Sequence, residues 1–344
     1  MLNAMLGLFS QDLAVDLGTS NTRVYLRGTG VVCDEPTVVS VQTDRDGRRR
    51  VTAIGSEALP MLGRTPEDIH AIQPIRAGRI LDFEVAEAFL LHLVRRAHGR
   101  NGWMRPRMVV AVPHHASDME ARAVRDSCES AGAREVHLVP RPIAAAVGAS
   151  LPVQEPDGTL IVDVGGGSTE ISLLALSGVV LSRVVPGGGE GMDAAIIQWL
   201  QRERRLLVGR PSAERLKIAL GTASHPDPSA TSVVKGRCLE RGIPRSETVS
   251  AADIASALAP HVEAIAVGIR NAISEAPPEL GSDVVDQGVV LTGGGSLLRD
   301  LDLGLRDLTG LPVIRAEDPE QAVAHGVGGI LEDTLLQHAV ALAS

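Results

Sequence analysis

Twice in this chain a short apolar run ends in an aspartate, breaks into a turn of glycine and small hydroxyl residues, and runs on into a second apolar stretch. The first copy is Asp16-Leu-Gly-Thr-Ser-Asn-Thr22 and the second is Asp163-Val-Gly-Gly-Gly-Ser-Thr169. Gly18 lets the backbone N–H groups and the hydroxyls of Thr19 and Ser20 approach a phosphate chain, and Gly165, Gly166, Gly167, Ser168 and Thr169 repeat the plan. One such turn is also an ordinary hairpin. Two of them predict two related domains facing one cleft, gripping a triphosphate from both sides. The two carboxylates then stand where Mg²⁺ is held through its waters, because that ion dehydrates reluctantly.

The rest of the chain agrees with an α/β fold. β-Branched runs at Leu13 to Val15, Val24 to Leu26, Val38 to Val41, Met108 to Val112, Leu160 to Val164 and Gly288 to Thr292 read as strands. Between them, Glu84 to Ala97, Ser117 to Ala131, Met192 to Arg205 and Ala251 to Ser274 carry apolar residues at helical spacing. A length of 344 residues accommodates about two domains. Breaks rich in Pro and Gly punctuate the elements, and the basic run Arg45 to Arg50 reads as a solvated hairpin turn.

A net charge of −9 and only six aromatic residues argue against a nucleic-acid partner. Cys33, Cys128 and Cys238 fit neither a disulfide framework nor a Cys-x-x-Cys metal site, so a reducing cytosol is expected. Neither an apolar stretch of bilayer length nor a basic secretory segment is read from the sequence.

A third glycine-rich turn, Leu291-Thr-Gly293-Gly294-Gly295-Ser-Leu297, follows a buried run, and its glycines suit close approach to a flat ligand such as adenine. Glu214 and Lys217, three residues apart, share a helix face; taken alone they read as a surface ion pair of little energetic weight.

In this order the motifs resemble the actin, Hsp70 and sugar-kinase superfamily, and within it the bacterial actin family MreB/Mbl. Further carriers of the resemblance are Gln73-Pro-Ile-Arg-Ala-Gly-Arg-Ile-Leu-Asp82-Phe, Val112-Pro113, Glu120 to Ala131 leading into Gly132-Ala-Arg-Glu-Val136, Arg141-Pro-Ile-Ala-Ala-Ala-Val-Gly148, and Pro319 to Gly329. The similarity extends from about Leu6 to Leu331. It implies an actin-like ATPase fold with two lobes around a nucleotide cleft. One domain takes residues 11-146 and 318-344, with a small subdomain near 32-78; the other takes 147-317, with a small subdomain near 186-249. It also implies ATP and Mg²⁺ as cofactors. Asp16, Thr19, Asn21, Asp163, Gly165 to Gly167 and Ser168 would line the phosphates and the ion, Glu214 and Lys217 would bind ribose, and Gly293 to Gly295 would contact the nucleoside.

One departure from the family pattern bears on chemistry. Where relatives carry an acid that orients the attacking water, this chain reads Pro140-Arg141-Pro142. A guanidinium is permanently protonated and cannot accept a proton, and a positioned acceptor is worth about 10²- to 10⁴-fold. Hydrolysis is therefore expected to be slow, with Ser168 and Thr169 left to place the water. A second departure, Glu190 in Gly188-Gly-Glu190-Gly-Met-Asp193 where relatives have Asp, carries little weight.

Two segments predict contact with a membrane surface. Leu2, Met5, Leu6 and Phe9 fall on one helical face of residues 1-10. The turn Asn101-Gly-Trp103-Met104-Arg105 places Trp103 and Met104 among arginines, a headgroup-boundary composition and the match to a hydrophobic loop of the family. The resemblance implies a filament-forming protein at the inner face of the cytoplasmic membrane, partnered by its own copies and by the cell-wall synthesis machinery that sets cell shape. The alternatives are a nucleotide-binding scaffold with little turnover and a small-molecule kinase, for which no substrate pocket or base can be placed. An Hsp70-like chaperone would need a peptide-binding domain after the core.

Overall fold

The computed structural model describes residues 12–98 and 105–340. The chain forms two compact units. Unit 1 runs to Pro156 and takes in Leu174–Val179 and the stretch from Glu320; unit 2 comprises Asp157–Leu173 and Val180–Pro319. The main elements of the first part are β1 (Leu13–Leu17), β2 (Asn21–Leu26), β3 (Gly30–Pro36), α1 (Phe83–His98), β4 (Arg107–Val112), α2 (Asp118–Ser130), β5 (Glu135–Pro140) and α3 (Arg141–Gly148). There follow β6 (Thr159–Val164), β7 (Ser168–Ala175), β8 (Gly178–Pro186), α4 (Gly189–Arg204), α5 (Arg210–Leu220), α6 (Ala251–Glu275), α7 (Pro278–Gln287), β9 (Val289–Thr292), α8 (Leu301–Thr309) and β10 (Val313–Arg315). The last described elements are α9 (Ala322–Glu332) and α10 (Thr334–Val340).

The two five-stranded sheets share one plan. Their orders are β5-β4-β1-β2-β3 and β8-β7-β6-β9-β10. In each, three consecutive strands lie side by side, and the first of the three pairs in parallel with a later strand that pairs in parallel with another. The central strands β1 and β6 are buried at every position, which is why they read as unbroken apolar runs. In both, the residue before the last is the aspartate of the turn motif, Asp16 and Asp163.

Smaller sheets flank these. In unit 1, Val39–Thr43 lies between Arg49–Ile54 and Ile69–Ile72, with the basic run falling at the hairpin that joins the first two. In unit 2, Thr231–Cys238 pairs with Leu206–Leu207 and Pro244–Ser250. Buried Glu35 on β3 ties the small sheet of unit 1 down. It accepts from the Ser56 N–H and hydroxyl, each at 2.8 Å, and pairs with Arg96. Burial pushes its carboxyl up, but the Ser56 hydrogen bonds and the Arg96 charge outweigh this and hold it below the usual carboxylate range.

Two contacts brace the interior of unit 1. Helices α3 and α9 cross backbone to backbone. A Cβ on Gly326 would overlap the Ala144 carbonyl oxygen, and one on Gly148 would overlap that of Ala322. At the start of β1, the buried carboxylate of Asp12 lies 3.3 Å from Arg107, 3.6 Å from Arg134 and 3.7 Å from Arg27, and it also accepts the Arg107 N–H.

The sequence reading of no membrane-length apolar stretch needs correction. Among the described residues, α6 is long and apolar enough to span a bilayer by length and composition. Its helical stripe of Ile254, Leu258, Val262, Ile265 and Ile269 is buried in the core of unit 2, which accounts for that composition.

Candidate functional site

The first turn, between β1 and β2, is shaped by partners that no local pattern announces. The Thr37 hydroxyl donates to Gly18 O at 2.8 Å, the Thr37 N–H to Ser20 O at 2.8 Å, and Gln73 Nε2 to Thr19 O at 3.4 Å. All described peptide bonds are trans, so an N–H points opposite to the carbonyl of its own peptide plane. The N–H groups of Thr19, Ser20 and Asn21 therefore face away from Thr37 and Gln73, as a row of donors of the kind that cradles an anion. Thr19 Oγ1 accepts from the Ala77 N–H at 2.7 Å, which leaves its single hydroxyl proton to be donated. The Asn21 amide reaches aside to Asp34 Oδ1 at 2.7 Å, where Arg23 also pairs.

The second turn, between β6 and β7, repeats this logic with different partners. Gly165 O accepts from the Gly189 N–H at 2.9 Å, Gly166 O from Glu190 at 2.8 Å and Gly167 O from Gly187 at 3.3 Å. The first two of these bonds satisfy the first amides of α4, which a helix cannot pair internally. By the same peptide geometry, the N–H groups of Gly166 and Gly167 face away from α4, and that of Ser168 faces away from Gly187 just before it. Close approach makes this possible, since a Cβ on Gly188 would overlap Gly165 O.

The third turn shares the corner with the second. Asp163 and Thr292 are register partners on β6 and β9, with the Thr292 hydroxyl 3.5 Å from Asp163 Oδ1. Gly293, Gly294 and Gly295 open the 3₁₀ turn Gly294–Leu297. It is held by the Gly293 N–H on Pro319 O at 2.7 Å and the Ser296 hydroxyl on Gly293 O at 2.7 Å.

Lys217 does not pair along its own helix with Glu214. It turns to α4, reaching Asp193 Oδ1 at 2.7 Å and Gly189 O at 2.9 Å. Arg210 joins it, 2.6 Å from Glu190 and 3.7 Å from Asp193. Burial raises the Asp193 carboxyl, opposed by the Lys217 and Arg210 charges. These pairs lock α5 onto the first turns of α4, and through Gly189 Lys217 stands one residue contact from the second turn. Glu214 lies exposed on α5. Thr169 is buried, and its hydroxyl has no hydrogen-bond partner among the described residues, while Ser168 beside it is half-buried. Leu2, Met5, Leu6, Phe9, Trp103 and Met104 lie outside the described residues.

Arg141, conspicuous in the sequence for not being an acid, takes a specific place. It is the first residue of α3, and its Nη1 donates to Asp16 Oδ1 at 2.6 Å. The Asp16 side chain is 2% exposed and that of Arg141 19%, so this is a desolvated ion pair. The two aspartates consequently differ in their fit to a divalent ion. Asp163, buried beside a hydroxyl, suits an acceptor for metal-bound water. Asp16 already has its charge balanced. Among the described residues no group of three His, Cys, Asp or Glu side chains is placed to hold a metal.

The sequence model of the MreB/Mbl protein family matches residues 10–338. The chain belongs to the MreB/Mbl family. Its MreB/Mbl relatives include the cell shape-determining protein MreB of Escherichia coli K12, 46% identical over 335 residues and covering 96% of each chain. The cell shape-determining protein Mbl of Bacillus subtilis 168 is 36% identical, covering 95% of this chain and 97% of Mbl. Among solved structures, MreB5 of Spiroplasma citri bound to AMPPNP superposes with a TM-score of 0.90 at 28% identity, covering 96% and 98% of the two chains. The same protein has been solved with ADP. This MreB/Mbl chain therefore has the actin-like fold, and its doubled sheet plan is the doubled plan of that fold.

Proposed function

We propose that this MreB/Mbl chain is a bacterial actin-like cytoskeletal protein. It binds ATP through both turns, polymerises at the inner face of the cytoplasmic membrane, and organises cell-wall synthesis and cell shape. The observation that carries the nucleotide reading is the pair of amide rows, Thr19 to Asn21 and Gly166 to Ser168, each turned outward because its carbonyls are tied back. A solved relative bound to AMPPNP and to ADP supports the same reading. The cell shape-determining relatives in E. coli and B. subtilis support the cellular role. In this reading Gly293 to Gly295 meet the nucleoside, and Lys217 and Glu214 lie toward the ribose. When bound, Mg²⁺ would neutralise phosphate charge, with Asp163 holding its waters.

Hydrolysis in this reading is slow. Arg141 accepts no proton, and its engagement with Asp16 favours the second reading of a nucleotide-binding scaffold with little turnover.

Replacing Asp163 with Ala is the direct test of the nucleotide site. The loss of one charge-assisted contact is expected to weaken ATP about ten- to hundredfold and to abolish ATP-dependent pelleting. Unchanged affinity and unchanged pelleting would remove Asp163 from the site. Membrane attachment has its own test. Liposome co-sedimentation is expected to fall several-fold on deletion of residues 1-10 and further with Trp103→Ser, because each buried large apolar side chain contributes about 1.5 to 3 kcal/mol before ordering costs. Binding that survives both changes refutes attachment through these segments.

A further inference from the structure

We infer that Arg141 is this chain's own counter-charge at the first phosphate turn. It neutralises Asp16 in the place that a hydrated divalent cation would take, so that nucleotide binding through that turn does not call on Mg²⁺. The inference rests on the nucleotide reading above and deepens it.

The geometry carries it. A guanidinium 2.6 Å from a carboxylate that is 2% exposed makes a charge-assisted hydrogen bond, with a donor that stays charged because Arg does not deprotonate in proteins. A metal hydration shell at Asp16 would have to share that oxygen with a fixed positive charge. It would meet repulsion in a setting that water screens poorly. Asp16 belongs to no group of three possible metal ligands among the described residues.

The arginine is also positioned by a stiff frame. Pro140 caps α3 and Pro142 follows Arg141 inside its first turn, both with their backbone φ set by the ring. The helix behind them is clamped against α9 at Gly148 and Gly326. Asp16 is equally fixed, on the central strand β1 between β2 and β4. Two groups so held are built to stay paired. Removing Arg141 would take from the buried Asp16 carboxylate the charge paired with it.

The measurement is the affinity of the full chain for a fluorescent ATP analogue in excess Mg²⁺ and in excess EDTA. The quantity read is the dissociation constant in EDTA divided by that in Mg²⁺. In Arg141→Gln, Asp16 regains an unbalanced carboxylate, and the ratio is expected to rise at least about tenfold over that of the native protein. In Asp16→Asn the ratio is expected to match the native one, because no metal resides at that carboxylate to be lost. The comparison cancels any Mg²⁺ dependence contributed by Asp163. Equal ratios in native and Arg141→Gln overturn the inference, and so does a fall of the ratio in Asp16→Asn, which stands even where Arg141→Gln does not fold. Absence of nucleotide binding to the native protein in either buffer overturns the nucleotide reading itself, an outcome distinct from both.

Discussion

Gly326→Val is expected to destabilise unit 1 severely. The Gly326 Cα lies against the Ala144 carbonyl where α9 crosses α3, and any Cβ there overlaps main-chain atoms, which cannot swing aside as a flexible side chain would. Relief requires the two helices to separate, which breaks packing of α9 on β1 and α3 on β5 together. The cost is set by overpacking plus the cavities opened along the crossing, about 3 to 5 kcal/mol, a large part of the roughly 5 to 15 kcal/mol that holds a domain together. Limited proteolysis and thermal unfolding followed by circular dichroism would register it. The contrast is Gly329→Ala on the same helix. There the added Cβ meets only Val147 Cγ1 at 3.5 Å, an ordinary contact, and the gain in helix propensity is up to about 1 kcal/mol. Equal stability of the two variants would show that the crossing is not close-packed.

Gly188→Ala is expected to act on binding and leave the fold intact. The new methyl group would overlap Gly165 O and come within 2.9 Å of Ser168 O, so the second turn must move off the start of α4. The carbonyls that turn the Gly166, Gly167 and Ser168 amides outward would then lose their partners. A displacement of about 1 Å in a positioning element can cost on the order of a hundredfold, and a loss of ten- to hundredfold in ATP affinity is expected, with a lowered unfolding midpoint because the clash is with main-chain atoms. Titration of the nucleotide against the variant decides this. Native affinity would mean that the turn holds its shape without α4.

The sequence and the structure coincide most closely at Asp16 and Asp163, because a repeated local motif on two buried strands carries its own register. Each is the residue before the last of the central strand, and each precedes a glycine turn. What stayed illegible is what depends on residues far apart in the chain. Thr37 and Gln73 shape the first turn, yet neither has a spacing that announces it. For Lys217 the helical spacing pointed to Glu214 three residues away, and the buried carboxylate of Asp193 on another helix won instead, because an ion pair gains more where water is excluded. Arg141 could be singled out as the wrong residue for hydrolysis, but its partner lies 125 positions away, so its charge-balancing place was visible only in the fold. Helix α6 does not read as a membrane-length segment in the sequence because its apolar residues are interspersed with polar ones along the chain and gather into one stripe only on the helix.

The arginine clamp on Asp12 has a mechanical consequence. β1 is flanked on both sides by paired strands, and where the chain enters it one carboxylate is tied to Arg107 at the head of β4, to Arg134 just ahead of β5, and to Arg27 just beyond β2. A pull on the chain that enters β1 is thus shared at once among four strands. It acts along the hydrogen-bonded ladders, so bonds must fail together and not one after another as in unzipping. Tension delivered through the leading segment would reach the sheet as a whole, and the strand that bears it is the same one that carries Asp16 to the first turn.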